Sequence, residues 1–251
     1  MKLTVIGCSG SFPGPESAAS CYLVEHGNCR IVLDVGSGSF GPLQRFVDPA
    51  DVDAVVLSHL HPDHCMDLTG WFVARTHYPS RPTALLPVLG PAGTANRLAR
   101  AFDMPLDPGM HGEFDFRDHV DVTEIGPFRI RTTRVVHPTP TFAIRVEAGG
   151  VALVFSGDTA PTQALVNLSQ GADLALFEAT WVDGEEHPAG LHLTAGEAGR
   201  HAAAAGVDQL VLTHLVPGQD RQRAFAAARL TFDGGLTLAE PGVPYELGGA
   251  S

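Results

Sequence analysis

The stretch SHLHPDH, Ser58–His64, places three histidines and one aspartate within six residues, directly after the short apolar run VDAVVLS. Such a run is typical of a buried strand, and the loops that follow strands often carry functional groups. On an extended segment the imidazoles of His59 and His61 point to the same side, so they can bind one metal ion. Asp63 and His64 follow the turn at the proline and point elsewhere, toward a second ion. Such ligands suit zinc and also accept manganese or iron.

Three further apolar strands also end on a residue that can bind a metal ion. His137 stands in VVHP, Asp158 in FSGDT and His214 in LTHL. Two catalytic ions with positions left for water need about seven or eight ligands, and the first cluster supplies only four. An unpaired imidazole at the end of a buried strand would be costly, which favours a ligand role for both histidines over a surface or core role. The two oxygens of Asp158 could bridge the ions.

Strands and helices follow one another in two halves of the chain. The first half has strands in KLTVIG, CYLVEHG and CRIVLDVGSG, the last two as a hairpin, and helices in DLTGWFVARTHY and AGTANRLARAF. The second half has several strands and two helices, and the second helix is predicted to have Thr194 as N-cap, Glu197 in a capping box and Gly206 as C-cap. This pattern predicts an α/β fold of four layers, an αββα sandwich with two mixed sheets face to face. We expect residues 1–251 to form a single domain.

Residues 103–118, DMPLDPGMHGEFDFRD, are expected to form a long irregular connection. Long connections of this kind often serve as lids over an active site. Phe114 and Phe116 either stack on a substrate base or pack as core, and the sequence leaves both alternatives open.

The ordered set H-x-H-x-D-H, then H, then D, then H resembles the metallo-β-lactamase superfamily over nearly the full chain. The fold of that superfamily is the αββα sandwich. The resemblance implies that one metal ion is held by His59, His61 and His137, the other by Asp63, His64 and His214, and that Asp158 bridges them. It also implies that Asp34, in LDVGSG, is the buried aspartate that supports the site.

Two more stretches, FEAT at 177–180 and LHLTAGEAG at 191–199, resemble the paired motifs of the ribonuclease Z-like phosphodiesterases. That resemblance implies hydrolysis with two divalent metal ions, most simply Zn²⁺. It also implies that His192 protonates the leaving oxygen, that Glu178 orients this histidine and that Asp63 accepts a proton from the attacking water. A leaving alkoxide needs a proton donor that is not bound to metal, so the role has a physical reason.

The chain departs from ribonuclease Z in ways that favour a small substrate. His137 and Asp158 are only 21 positions apart, which leaves no room for the tRNA-binding arm, and Phe177 replaces the usual histidine before EAT. The net charge is −12, and no basic stripe of the kind that nucleic-acid binders use is visible. We therefore predict a phosphodiesterase acting on a small phosphodiester, with a cyclic nucleotide such as 3′,5′-cyclic AMP favoured by resemblance to actinobacterial enzymes.

Three alternatives stay open: a tRNA 3′-processing endonuclease, a phosphoribosyl cyclic phosphate phosphodiesterase, and a lactonase or thioesterase. A homodimer is suggested only by the resemblance.

A cytoplasmic location and no membrane span are expected. The four cysteines form no C-x-x-C pair, so neither a zinc knuckle nor a redox motif is indicated, and reduced cytoplasmic thiols are the default interpretation. No run of 18 apolar residues occurs. The first residues, MKLTVIGC, contain too few apolar residues for a signal sequence and are typical of a first strand.

Overall fold

The computed structural model describes residues 1–77 and 84–248, which contain two β-sheets. The first sheet holds β1 (Lys2–Ser9), β2 (Ala18–Ala19), β3 (Cys21–His26), β4 (Cys29–Leu33), β5 (Ala54–Val56), β6 (Leu86–Gly90), β7 (Phe114–Asp118) and β15 (Pro244–Glu246). The second sheet holds β8 (Val122–Ile125), β9 (Phe128–Arg134), β10 (Phe142–Ala148), β11 (Val151–Phe155), β12 (Leu174–Glu178), β13 (Gln209–Thr213) and β14 (Gly235–Leu238).

Both sheets mix antiparallel and parallel pairs. The first has the order β15-β1-β3-β4-β5-β6-β7, with β2 paired to β1, and runs parallel from β4 to β7. The second has the order β14-β13-β12-β11-β10-β9-β8 and runs parallel from β11 to β14. The predicted hairpin is present, since β3 and β4 pair antiparallel.

Helices pack on the outer faces of the two sheets, apart from the short α2 (Pro62–Cys65), which contains Asp63 and His64. The helices are α1 (Phe40–Leu43), α2 (Pro62–Cys65), α3 (Leu68–His77) and α4 (Thr94–Ala101) in the first half, and α5 (Gln163–Ser169), α6 (Ala195–Ala205) and α7 (Arg221–Arg229) in the second. A 3₁₀ turn spans Pro49–Asp51. One apolar cluster fills the space between the sheets, and one lies under the helices of each half. The predicted αββα sandwich is confirmed.

Alternate residues of the central strands point to opposite faces of the sheet and pack in different apolar clusters. In β3, Tyr22 and Val24 belong to the cluster between the sheets, while Cys21 and Leu23 belong to the cluster under the helices. Both faces of the strand are therefore buried, and this is why the strand is a nearly continuous apolar run and not an alternating one.

Helix α6 begins and ends as predicted. The Thr194 hydroxyl accepts a hydrogen bond from the Glu197 amide, the Glu197 carboxylate accepts one from the Thr194 amide, and Gly206 closes the helix at a φ of 65°. The capping box fixes the direction in which the chain enters the helix, two residues after His192.

The prediction of an irregular connection over residues 103–118 is wrong at its end. Residues from Phe114 to Asp118 form β7, which pairs in parallel with β6. Phe114 is fully buried in the core and Phe116 packs against the same cluster, so of the two alternatives the core role is the observed one for Phe114. Apolar and polar residues alternate in FDFRD, which is typical of a strand, but the glycines and prolines before it favoured the prediction of an irregular connection.

Within residues 1–77 and 84–248, no helix has both the length and the apolar character that crossing a membrane requires.

Candidate metal centre

The predicted ligands converge because the strands that carry them end at one edge. Strands β9 and β11 are both antiparallel to β10, so they run in the same direction, and β12 and β13 are parallel to β11. His137, Asp158 and His214 follow β9, β11 and β13 respectively, and His59 follows β5 of the facing sheet. Sites outside the carboxyl ends of strands are usual in α/β folds.

The first group of donors consists of His59, His61, His137 and Asp158, whose ligand atoms all lie within 4.8 Å of one another. His61 Nδ1 lies 3.1 Å from His59 Nε2 and 3.3 Å from His137 Nε2. Asp158 Oδ2 lies 3.6 Å from His59 Nε2. Three imidazoles and one carboxylate oxygen therefore face a common point.

The second group consists of Asp63, His64, Asp158 and His214, again within 4.8 Å. His64 Nε2 and His214 Nε2 are 3.2 Å apart. Asp63 Oδ2 lies 3.4 Å and 3.2 Å from these two nitrogens, and Asp158 Oδ1 lies 3.2 Å and 3.4 Å from them. Each oxygen of Asp158 thus faces a different group.

The hydrogen bonds on the far side of each ring show which nitrogen is free to bind a cation. His64 Nδ1 donates to Asp34 Oδ2 at 2.7 Å. The Thr180 hydroxyl donates to Glu178 Oε2 at 2.7 Å, so His214 Nδ1 donates to the Thr180 oxygen at 2.8 Å. A neutral imidazole carries one N–H, so both Nε2 atoms present lone pairs to the group.

In the first group, hydrogen bonds fix the imidazole tautomers in the same way. His137 Nδ1 donates to the Leu191 carbonyl at 2.8 Å, which leaves Nε2 as a lone pair. The Ser58 hydroxyl donates to Asp34, so His59 Nδ1 donates to the Ser58 oxygen at 3.1 Å. Histidine ligands of metals nearly always donate their other N–H in this way.

The buried charges of the second group also favour a cation there. Burial alone would raise the pKa values of Asp63 and Asp158, but the adjacent histidines hold both below their usual range. Burial opposes a charge on His64, yet Asp158 and Asp34 raise the pKa of this histidine well above its ordinary value. His59 differs, because burial and then His64 lower its pKa. A proton or a metal ion must balance the carboxylates here.

Asp158 carries the clearest sign that a ligand belongs in the centre. Its Oδ1 is buried and accepts no hydrogen bond from the described residues. A buried carboxylate oxygen without a donor is costly, and a shared cation removes that cost. Because the donors are imidazoles and carboxylates, the set suits divalent metal ions.

Backbone strain is concentrated at the same place. Asp34 and His214 have φ values of 56° and 58°, in the left-handed region that residues other than glycine seldom adopt. A Cβ on Gly10 would lie 2.2 Å from the His214 carbonyl oxygen, and one on Gly36 would lie 1.9 Å from that of Asp63. These two glycines allow the backbone to pack closely behind two predicted ligand residues, His214 and Asp63.

His192 and Glu178 form a separate pair next to both groups. His192 Nδ1 donates to Glu178 Oε1 at 2.9 Å, and Glu178 also accepts from the amides of Thr159 and Thr180. The His192 ring lies 5.3 Å from that of His137 and 5.6 Å from that of His214. Burial opposes a charge on His192, but the hydrogen bond and the charge of Glu178 raise its pKa.

The structure brings together every residue that the sequence singled out as a ligand or catalytic group. Their roles as ligands, acid or base stay predictions. Sequence reasoning did not assign the hydroxyls of Ser58 and Thr180 or the carbonyl of Leu191, which fix the ring tautomers. All three lie within the motifs SHLHPDH, FEAT and LHLTAGEAG. Single hydroxyl and carbonyl groups, however, have no spacing pattern that would have identified them.

Comparison with known families agrees with this geometry. Residues 29–215 match the family described as the beta-lactamase superfamily domain. The chain belongs to this superfamily, and the resemblance drawn from its ligand motifs is confirmed.

Individual relatives show which kinds of protein within the superfamily the chain is similar to. An uncharacterized protein of Mycobacterium tuberculosis is 42% identical over 246 residues, which cover 93% of this chain and 88% of that protein. The ribonuclease Z of Mycobacterium bovis is 31% identical over 268 residues, covering 92% of this chain and 93% of that enzyme. The crystal structure of the metallo-beta-lactamase fold protein YhfI from Bacillus subtilis matches with a TM-score of 0.87 and 28% identity, covering 98% of this chain and 99% of that one. The predicted class, a metal-dependent hydrolase, is confirmed.

Proposed function

We propose that this chain is a two-metal phosphodiesterase that hydrolyses a small phosphodiester, a cyclic nucleotide such as 3′,5′-cyclic AMP, with Zn²⁺ as the resident metal. One observation carries the proposal. A histidine held by a buried glutamate stands beside both groups of metal donors, and the hydrogen bond and charge of that glutamate raise its pKa, which favours the protonated form. A reaction that expels an alkoxide needs such a donor.

The donor residues fall into two sets, one for each metal ion. His59, His61 and His137 with one oxygen of Asp158 would hold one metal ion, and the second group would hold the other. Bound divalent ions would supply Lewis-acid activation of water and of the phosphoryl oxygens.

The residues beside the ions would move the protons. Asp63, a member of the second group, would accept the proton of the attacking water. His192 would donate its proton to the departing ribose oxygen and so open the ring of the cyclic nucleotide. Glu178 keeps Nδ1 of that histidine engaged, which leaves Nε2 for the leaving oxygen.

Charge and shape near the site support a small substrate over tRNA. The chain between His137 and Asp158 consists of the hairpin β10–β11 and its turns, without an inserted arm. The loop before His192 carries Asp183, Glu185 and Glu186, and the last two are exposed. Acidic groups at the rim repel a polyanion more strongly than a substrate with one phosphate.

The 31% identity to a ribonuclease Z over nearly the whole chain favours a second candidate, a tRNA 3′-processing endonuclease. The same metal groups and the same proton donor would serve that reaction. A cytoplasmic location, a single domain and a homodimer stay predictions.

A substrate panel on one metal-analysed sample tests the proposal. We expect turnover of 3′,5′-cyclic AMP and bis(p-nitrophenyl) phosphate, and loss of both with a chelator. Precursor tRNA should stay intact on a gel, and lactones and thioesters should react far more slowly than phosphodiesters. Cleavage of precursor tRNA with no turnover of cyclic nucleotides would favour the second candidate.

The pair of His192 and Glu178 gives a prediction about pH. The pKa of His192 is raised in the folded protein, so the donor is protonated below that value and is lost as the pH rises through it. Replacing Glu178 by Gln removes the charge that raises this pKa, so the alkaline limb of kcat should move to lower pH. At pH 8 we expect a fall in kcat of about tenfold or more.

The measurement is kcat against pH from 5.5 to 9.5, together with metal content. The exposed Glu186→Gln is the matched control and should keep the wild-type profile. An unchanged alkaline limb in Glu178→Gln would contradict the assignment of His192 as the acid.

A further inference from the structure

Trp181 and His187 form a stacked aromatic pair beside the proton donor. Their ring centroids are 5.5 Å apart and their planes differ by 9°. Trp181 also meets His192 edge to face, at 5.4 Å and 75°. A continuous series of rings therefore leads from the metal centre outward to His187.

This pair, here called the aromatic shelf, is accessible to a ligand. His187 is exposed and Trp181 is half-buried, so the shelf lies at the rim of the site and not in the core. An exposed imidazole stacked on an indole gains little by packing alone. The arrangement leaves aromatic surface open next to the group that would protonate a leaving oxygen.

The loop that carries the shelf is held in place at its base. The Asp183 carboxylate accepts hydrogen bonds from the Thr194 hydroxyl and the Gly196 amide, at the start of α6. Arg223 donates to the Asp183 carbonyl at 2.9 Å and to Glu185 at 2.7 Å. The backbone of Trp181 also donates to the Leu193 carbonyl at 2.9 Å. The shelf is thus tied to the same helix start that positions His192.

The charge around the shelf indicates what it can receive. Asp183, Glu185 and Glu186 lie on the same loop, and Arg223 balances only part of their charge. A second phosphate group would be repelled there. A neutral aromatic ring would stack on the shelf, and base–aromatic stacking needs no particular base.

We propose that the aromatic shelf binds the nucleobase of the substrate while the phosphate lies at the metal centre. The inference rests on the proposed function and narrows it, because it selects nucleoside cyclic phosphates over sugar cyclic phosphates that lack a base. Trp181 adjoins His192, which would protonate the ribose oxygen, so the shelf lies on the side of the site where a base attached to that ribose would be placed.

The first test compares two substrates that differ only in the base. These are 3′,5′-cyclic AMP and 1-O-methylribose 3′,5′-cyclic phosphate, assayed with wild type and His187→Ala. His187 is exposed and has no contact with His192 among the described residues, so its loss should spare the chemistry. We expect KM for cyclic AMP to rise about tenfold, within the range for loss of one stacking partner, with kcat and the base-free substrate unchanged. His111→Ala removes an exposed histidine outside the shelf and its loop, so it is the matched control and should behave as wild type.

The second test reads binding without turnover. The chain has two tryptophans, and Trp71 is fully buried, so a ligand at the shelf should quench only Trp181. Adding 5′-AMP should quench the intrinsic fluorescence of wild type, less so that of His187→Ala, and leave Trp181→Phe unaffected, while ribose 5-phosphate should quench none of them.

The outcomes separate the two proposals. Hydrolysis of cyclic AMP with the same KM in wild type and His187→Ala, and no quenching by 5′-AMP, would overturn the shelf and leave the proposed function standing. Quenching by 5′-AMP in a protein that hydrolyses neither substrate would support the shelf and count against the proposed function.

Discussion

Replacing His192 by alanine is expected to lower kcat for 3′,5′-cyclic AMP by about 10²–10⁴-fold and to leave the metal content unchanged. The ring donates to Glu178 and adjoins both donor groups, but each group is already complete without it. On the proposed assignment, its removal takes away a proton donor and no metal ligand. The ribose oxygen is a poor leaving group when unprotonated, so the loss should appear in kcat more than in KM.

A substrate with a good leaving group distinguishes loss of proton donation by His192 from a general loss of activity. In bis(p-nitrophenyl) phosphate the departing phenolate needs little protonation, so His192→Ala should impair its hydrolysis much less than that of cyclic AMP. The exposed His111→Ala is the matched control and should alter neither rate. Equal losses for the two substrates, or a loss of bound metal, would argue against the acid role.

Replacing Asp158 by asparagine is expected to have the largest effect on the metal centre itself. Both oxygens of this carboxylate face donor groups, one toward His59 and one toward His64 and His214. An amide would present an N–H₂ to one group in place of an acceptor. We expect bound metal to fall from two ions per chain to one or fewer, and phosphodiester hydrolysis to fall about 10³-fold, since a metal ion contributes several kcal/mol to such a barrier.

Metal analysis and thermal unfolding measure this effect apart from activity. Added Zn²⁺ should raise the melting temperature of wild type, because a ligand that binds only the folded state stabilises it, and should raise that of Asp158→Asn less. Asp121→Asn, at an exposed position, is the control. Two tightly bound ions in Asp158→Asn would contradict a bridging role.

The sequence predicted most of the fold because its central strands are buried on both faces. The strands β5 (AVV) and β11 (VALVF) are apolar throughout, and a predicted metal ligand follows each of them three residues later, His59 and Asp158 respectively. The start of α6 was also predictable, because the capping box at Thr194 and Glu197 lies within four consecutive residues. Helix α7 and the strands β14 and β15, after the last ligand, were not predicted.

The remaining errors and omissions have tertiary causes. Strand β7 was hidden because glycines and prolines precede it and its pairing with β6 is not visible locally. The hydroxyls of Ser58 and Thr180 acquire their roles only when distant strand ends meet. The stacking of His187 on Trp181 likewise depends on the path of a loop that no short motif specifies.

Metal-dependent hydrolysis of a cyclic nucleotide is tested by the product that samples of known metal content form from 3′,5′-cyclic AMP. We expect that chelated protein is inactive, that activity returns in proportion to divalent metal up to two ions per chain, and that 5′-AMP accumulates while precursor tRNA stays intact. Protein loaded with two ions that leaves cyclic AMP unchanged, or hydrolysis that does not depend on metal, would contradict it.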